Sequence, residues 1–452
     1  MEKKQLLRNT ALLTGSSLLM NLIAMLFQAW LVGRIGAVGI GLYQLVLSVT
    51  ALAATFAISG IRFASTRLVA EELGAGQNAG VPAAMRRCLI YAAFFGLAAA
   101  AILRFCAAPL GGGWLGDGRS VTSLSLSAFS MPCVSLCAAI SGYFTACGRL
   151  IRPMLIHLSE LLLGIVFSLW FLHGAPPGDV ERCCEAVVSA RLLADLAALL
   201  LMFLAYEADR ARYFPLAAAG RGQTQRLLKI ALPLASSAYA RSGLRTAQQL
   251  LIPRGLRACG QSADAALAGY GLIHGMALPL LLFPSCLLAA AAELIVPALT
   301  QVQVRQDGQR IRRAVRLFLR WSLLYALATG LLLFLLAQPL ARVVYHNAEA
   351  GAYIRLLAPL LPVMYLDMSV DGCLKGLGQQ VWSMGINIID ALCGLLLVWL
   401  LLPRYGLAGY LWVLYITESL NFLLSIWRLL TALRSAPETA AQSLSAQPAQ
   451  TA

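Results

Sequence analysis

The sequence predicts an all-α, polytopic membrane protein with about twelve transmembrane helices in two six-helix lobes. Three observations carry that expectation. The 452 residues are 60% hydrophobic and only 12% charged, and apolar runs long enough to cross a bilayer, about 20 residues, recur from end to end. The basic residues alternate between two sets of short loops. The chain also repeats itself at an offset of 220 residues.

The apolar runs place spans at 10–32, 40–63, 87–108, 121–145, 154–173, 187–206, 228–252, 268–299, 317–337, 353–374, 382–402 and 407–430. The leader MEKKQLLRNT runs into the first span with no small-residue cleavage site, which reads as an uncleaved first helix behind a basic cytoplasmic leader. The eighth span is overlong and carries Pro279, Pro284 and Pro297, so a kink or tilt is expected. The tenth, with Pro359 and Pro362, is expected to be irregular. On one side of these spans the loops hold 22 basic residues, among them Arg86, Arg87, Arg149, Arg152, Arg312 and Arg313. On the other side they hold 7, Arg34, Arg119, Arg182, Arg254, Arg257, Arg342 and Arg404. A wrong span count would scramble this alternation, so it supports both the count and an N-in, C-in orientation.

The repeat sets the domain organisation. An offset of 220 brings Ser16-Ser17 onto Ser236-Ser237, Asn21 onto Arg241 and Gln28 onto Gln248. After the second span of each half comes a polar loop that ends in paired arginines, Arg86-Arg87 and Arg312-Arg313. The expected division is a six-helix lobe at 1–210, a cytoplasmic linker at 211–227, a second six-helix lobe at 228–434 and a small, polar, disordered cytoplasmic tail at 435–452. An even number of spans per half makes the repeat parallel, about an axis along the membrane normal.

Composition also excludes several function classes. The net charge of +15 resides in short loops where topology accounts for it, so nucleic acid is not expected as a partner. Most of the eleven Cys lie inside apolar runs and no CxxC pair occurs, so neither a metal site nor a structural disulfide is expected. The four His are dispersed. The Gly-rich GGGWLGDG at 111–118 lacks the GK[ST] ending of a phosphate-binding loop and reads as an external turn. No Walker motif, catalytic triad or acid/base pair occurs in a loop of useful length, so the chain is not read as an enzyme, and no cofactor is expected.

The chemistry concentrates at 232–253, LPLASSAYARSGLRTAQQLLIP. Arg241, Arg245 and Gln248 fall at i, i+4 and i+7, on one helical face. One arginine at mid-membrane costs about 3 kcal/mol on insertion scales, so two on one stripe point to a wet cavity and an anionic occupant. Arg62 is a third candidate, and Ser17, Asn21 and Gln28 give the first helix a polar stripe. The alternative readings are neutralisation by buried acids, snorkelling of the arginines, and helix–helix contact through Ser and Asn. Among the intramembrane acids, Glu293, Asp367 and Asp371 are candidates for coupling transport to an ion, and Asp367 and Asp371, four residues apart, would set two like charges toward one cavity. Asp195, four residues after Arg191, reads as that arginine's partner.

Three passages resemble a known family. ISGIRFASTRLVAEE with the Gly-rich loop after it is similar to the second-span region of the polysaccharide-exporter branch of the multidrug/oligosaccharidyl-lipid/polysaccharide flippase superfamily. ELIVPALTQVQVRQDGQRIRRAVRLFLRW, and the stretch from Leu374 to Glu418 (LKGLGQQVW…LLPRYGLAGYLWVLYITE), resemble the stage V sporulation protein B group of that superfamily. The ordered series covers nearly the whole chain, although members of the group often carry fourteen spans. The resemblance implies the V-shaped, two-lobed fold of multidrug-and-toxin-extrusion carriers. It implies an alternating-access flippase in the bacterial cytoplasmic membrane for an undecaprenyl-diphosphate-linked saccharide, such as a cell-wall or spore-cortex precursor. Arg62, Arg241 and Arg245 would then grip the diphosphate, and Ser17, Asn21, Gln28 and Gln248 would meet sugar hydroxyls. Membrane lipids and the lipid-linked saccharide are the implied partners, with glycan-synthesis enzymes beside them, and membrane potential or an H⁺ or Na⁺ gradient the implied drive. One rival is a multidrug antiporter of the same fold, whose organic-cation substrates call for an acid-lined, aromatic cavity. The other is a membrane-embedded glycan-assembly enzyme, which the external loops, about 15 residues at most, do not favour.

Overall fold

The computed structural model describes residues 2–75, 78–174, 176, 178–214, 223–304 and 307–434, with backbone alone for 2–14, 78, 223 and 304. The disordered-tail expectation and part of the linker, residues 215–222, lie outside the described residues. Among the described residues the structure is helical with no strand. Ten helical stretches among the described residues are long and apolar enough to cross a membrane.

By contacts the chain forms two compact units, Met1–Gly271 and Leu272–Ala452. The boundary falls later than the one expected from the repeat, because the seventh helix packs with the first six. The first unit holds α1 (Glu2–Ile58), α2 (Ile61–Gly74), α3 (Val81–Ala108), α4 (Ser120–Ala128), α5 (Ser130–Ala146), α6 (Ile151–Gly174), α7 (Val180–Tyr213), α8 (Gln223–Ala258) and α9 (Ala263–Tyr270). The second holds α10 (Leu278–Leu282), α11 (Ser285–Val304), α12 (Gly308–Tyr345), α13 (Ala348–Leu357), α14 (Leu361–Gly376) and α15 (Gln380–Arg434).

Two of these helices are really pairs. α1 breaks at Gly36 (φ 72°) and α15 at Gly406 (φ 57°), values that an L side chain rarely adopts. Both glycines sit in the same local pattern, Arg34-Ile-Gly-Ala-Val-Gly39 and Arg404-Tyr-Gly-Leu-Ala-Gly409. The kinks fall between the first and second and between the eleventh and twelfth expected spans. The expected eighth span is divided into two qualifying stretches, Ala263–Leu282 and Ser285–Gln303. A π-helical stretch, Gly271–Ala277, precedes α10, and the chain turns again at Phe283-Pro284, where proline supplies no backbone N–H. The expected tenth span is α13 and α14 joined by a 3₁₀ turn at Ala358–Leu360.

Helix starts follow ordinary capping chemistry. Asp179, Ser262, Asp307 and Asn347 accept hydrogen bonds from the backbone N–H groups of Arg182, Ala265, Arg310 and Glu349. The interior of the first unit centres on Met85, Tyr143, Phe144, Met202 and Tyr206, all buried. That of the second centres on Leu299, Ile311, Val315, Val370 and Leu429. Large apolar side chains such as Phe105, Leu335 and Trp399 remain exposed, as lipid-facing surface must.

Close crossings depend on glycine. A Cβ on Gly41 would stand 2.1 Å from the Leu267 carbonyl oxygen, and one on Gly271 2.2 Å from that of Ala37. The two glycines therefore let the second half of α1 and the end of α9 touch backbone to backbone. Gly41→Val is expected to lower stability by about 1–3 kcal/mol through overpacking. The check is a melting temperature in detergent, with Gly385→Val, whose Cβ would meet open space, as the neutral comparison.

The loop after α3 is clipped by charge. Arg119 bonds Asp117 (Nη2···Oδ2 2.7 Å) and Asp264 (2.6 Å), and Arg257 donates to the Gly116 carbonyl at 3.0 Å and to that of Leu115. Burial pushes the Asp117 carboxyl up, but the hydrogen bonds and charge of Arg119, with Arg257 behind, outweigh it and hold the group below the usual carboxylate value. A carboxyl lowered in this way stabilises the fold above its unfolded value, 3.8, and that contribution fades as pH falls through the folded value. The gap in melting temperature between the wild type and Asp117→Asn should be constant above about pH 5 and close below about pH 4. A gap that persists to pH 2 contradicts the assignment.

Candidate functional site

The arginine-bearing helix α8 is fixed to α1 by one polar face. Tyr239 OH donates to Ser59 Oγ at 2.6 Å, Thr55 Oγ1 to Ser242 Oγ at 3.2 Å, and Thr246 Oγ1 to the Ser48 carbonyl at 3.1 Å. Tyr239, Ser242 and Thr246 are spaced i, i+3 and i+7, so they form one seam. At roughly 100° per residue, Arg241, Arg245 and Gln248 lie about a quarter of a turn or more off the centre of that seam. Both arginines are exposed and Gln248 is half-buried. Neither arginine has a hydrogen bond or an acid partner among the described residues.

Arg62 occupies the first turn of α2, just beyond a break at Ser59 (φ 42°) and Gly60 (φ 71°). The break is held from two sides. Ser59 Oγ meets Tyr91 OH at 2.9 Å, and a Cβ on Gly60 would lie 2.6 Å from the Ala231 carbonyl oxygen of α8. The exposed Arg62 borders a cavity of about 200 Å³, along with Cys133, Cys137, His157, Glu160, Arg191 and Asp195. Gln28 borders a neighbouring cavity of about 390 Å³, with Phe27, Tyr43 and Ser168. The two cavities share His157, Glu160, Arg191 and Asp195. Ser17 and Asn21 are exposed on α1 and border neither cavity, and neither do Arg241, Arg245 and Gln248.

The shared cluster was not assembled from the sequence. His157 Nδ1 lies 3.0 Å from Glu160 Oε2. Asp195 is only 4% exposed, with Ser130, Glu160 and the Arg191 charge close by. The Arg191–Asp195 pairing read from the sequence is therefore a charge interaction inside a four-residue network rather than an isolated pair. The readable signals were the i,i+3 and i,i+4 spacings within α6 and α7, but spacing does not say that two helices face each other.

In the second unit, Asp367 and Asp371 do not stand as two bare charges. Lys375 Nζ reaches Asp371 Oδ2 at 2.5 Å, and Ser383 Oγ donates to Asp371 Oδ1. Asp367 Oδ2 accepts from Asn421 Nδ2 at 2.8 Å, while its Oδ1 is buried without a hydrogen-bond partner among the described residues. Glu293 is exposed on α11.

Kinked helices with an apolar exterior, arginines on a face left free of packing and carboxylates gathered round interior cavities make this a multi-pass helical membrane protein with a polar interior. It belongs to the polysaccharide biosynthesis protein family, whose model matches residues 6–303; a MatE family model matches residues 257–400. The chain is similar to "Stage V sporulation protein B" of Bacillus subtilis (strain 168), 22% identical over 420 residues that cover 90% of this chain and 80% of the relative. The fold is shared with "Lipid II flippase MurJ, inward closed conformation", at a TM-score of 0.71 and 12% identity over 94% of this chain and 89% of that one. It is shared equally with the inward-facing conformation of a multidrug resistance MATE family transporter of the MOP superfamily, at a TM-score of 0.70 and 15% identity over 92% and 96%.

Proposed function

We propose that this protein is an alternating-access flippase that moves an undecaprenyl-diphosphate-linked saccharide across the bacterial cytoplasmic membrane. One observation carries the reading: Arg241 and Arg245 project from α8, off its packing seam, with no acid partner among the described residues. A guanidinium at membrane depth needs an anion or water, and its planar fork suits a phosphate, which it binds bidentately. Arg62, Gln28, Gln248, Ser17 and Asn21 are proposed to complete the head-group site. The polysaccharide biosynthesis family match supports a saccharide substrate class. The two six-helix lobes, 1–210 and 228–434, are proposed as the bodies that rock, a motion that would part the seam between α1 and α8.

For coupling, Asp367 is the best supported of the three acids, since Asp371 is neutralised by Lys375 and Glu293 faces outward. Asp367→Asn is expected to leave downhill flipping intact and to remove its response to an imposed H⁺ or Na⁺ gradient. Transport by this variant that still follows the gradient would assign coupling elsewhere.

The antiporter reading keeps one specific support, the Glu160 and Asp195 carboxylates beside Phe27 and Tyr43 at one cavity. Proteoliposomes with fluorescent undecaprenyl-diphosphate-saccharide decide between the two. Flipping by the wild type, unaffected by an organic cation such as rhodamine 6G, is expected. No flipping, together with rhodamine uptake, would replace the flippase by the antiporter.

A further inference from the structure

The geometry points to a phospholipid site on the second unit: we propose that a groove beside the first half of α12 binds an anionic phospholipid, head group on Arg316 and Arg320. The groove encloses about 600 Å³, and Arg312, Arg316, Arg320 and Arg434 border it. Its floor is apolar, from Leu319 and Leu323 on α12, Leu366 on α14, and Phe422 and Ile426 on α15. No acid borders it.

The length of α12 sets the depth of these groups. Its 38 residues extend roughly 57 Å, against a hydrocarbon core of about 30 Å. From Trp321 to Ala341 no charged residue occurs, and those 21 positions rise about 31 Å, close to the core thickness. Arg342 marks one end and Arg320 the other. The arginines before Trp321 therefore stand in the head-group layer. Exposed Trp321, Trp427 and Trp382 mark the same level, as interfacial tryptophans do; Trp382 stacks under Arg428 at 4.3 Å.

Within that layer the arginines form a ladder. Arg312, Arg316 and Arg320 are spaced i, i+4 and i+8, about 6 Å apart along the axis. Arg312 is anchored, its Nε donating to the Leu433 carbonyl at 3.2 Å. Arg316 and Arg320 are exposed, with no acid partner among the described residues. The apolar floor continues from them into the depth of the core, where an acyl chain would lie. Charge at the head level over an apolar trough is the complement of an anionic phospholipid, and the two open arginines suit a head group with two phosphates best. The site is separate from the head-group residues proposed on α1, α2 and α8.

The test uses the full chain in detergent, with cardiolipin, phosphatidylcholine and undecaprenyl diphosphate added in turn. Retained lipid is counted by native mass spectrometry and the melting temperature recorded. Cardiolipin is expected to bind and raise the melting temperature, and phosphatidylcholine to do neither. Arg316→Gln/Arg320→Gln should weaken cardiolipin at least about tenfold. Leu366→Trp, which fills the trough and keeps the charges, should weaken it too. Arg316→Lys/Arg320→Lys and Arg342→Gln should retain it. Should the glutamine pair fail to fold, a photoreactive cardiolipin must label Leu323 or Ile426 peptides in the wild type. Unchanged cardiolipin affinity in the glutamine pair, absence of that labelling, or equal binding of phosphatidylcholine overturns the site. Displacement of cardiolipin by an equal amount of undecaprenyl diphosphate would overturn it as well, because the groove would then serve the transported lipid. Loss of flipping in Arg241→Ala/Arg245→Ala would leave the site untouched, so the two proposals fail separately.

Discussion

Replacing Arg241 and Arg245 together by alanine is expected to slow flipping of the diphosphate lipid at least about 100-fold while leaving the protein folded. Each hydrogen bond to a charged group is worth about 1.5–3 kcal/mol, so losing two removes roughly 3–6 kcal/mol from head-group binding. Every 1.4 kcal/mol is about a factor of ten, and the lower limit already gives about 100-fold. Stability should move by less than about 0.5 kcal/mol, because both side chains are exposed and touch no partner among the described residues. The lysine pair separates charge from shape. A lysine keeps the charge and loses the planar fork, so an intermediate loss, about tenfold, is expected. Initial flipping rates at matched protein density supply the numbers. Alanine variants that melt early point instead to a structural role.

The largest effect on stability is expected at Asp209. This carboxylate is 1% exposed near the end of α7. It pairs with both Arg149 and Arg152 and accepts from Tyr143 OH at 2.8 Å. Arg149 also stacks on Tyr213, 3.7 Å from the ring centroid. Asp209→Ala leaves two guanidiniums and a buried phenol with no common acceptor, and removing one partner of a buried ion pair costs about 3–5 kcal/mol. Asp209→Asn keeps an oxygen for Tyr143 and loses only the charge, so it should cost less. Chemical denaturation in detergent measures both. A loss under about 1 kcal/mol in the alanine variant would show that the cluster is solvated and weak.

Asp209 also shows what a single sequence conveys and what it withholds. Arg149 and Arg152 entered the loop-charge asymmetry as markers of topology, and that use does not conflict with their contacts. Nothing in the spacing joins them to an aspartate some 57 positions later. Period and composition legibly gave the helical membrane class, a kink or tilt somewhere in the proline-bearing eighth span and the irregular tenth span, because each follows from local residue chemistry. The Gly36 and Gly406 kinks were legible only as span ends; the shared Arg-x-Gly-x-x-Gly pattern names the turn itself. The Asp371–Lys375 pair could have been read, since it has the same i,i+4 spacing that linked Arg191 and Asp195. The network of His157, Glu160, Arg191 and Asp195 could not, because it needs α6 and α7 to face each other round a cavity. Packing also moved the unit boundary: α8 carries the repeat of α1, yet Tyr239, Ser242 and Thr246 bind it to α1 itself.

The central claim is that arginines on α8 hold a diphosphate. It is tested most directly by equilibrium binding of two lipids that differ only in the head group, undecaprenyl diphosphate and undecaprenol, to the wild type and to Arg241→Ala/Arg245→Ala. The expected result is a preference of at least about 100-fold for the diphosphate in the wild type, falling to near unity in the double variant. Equal preference in both proteins would contradict it and leave the α8 arginines without a head group to hold.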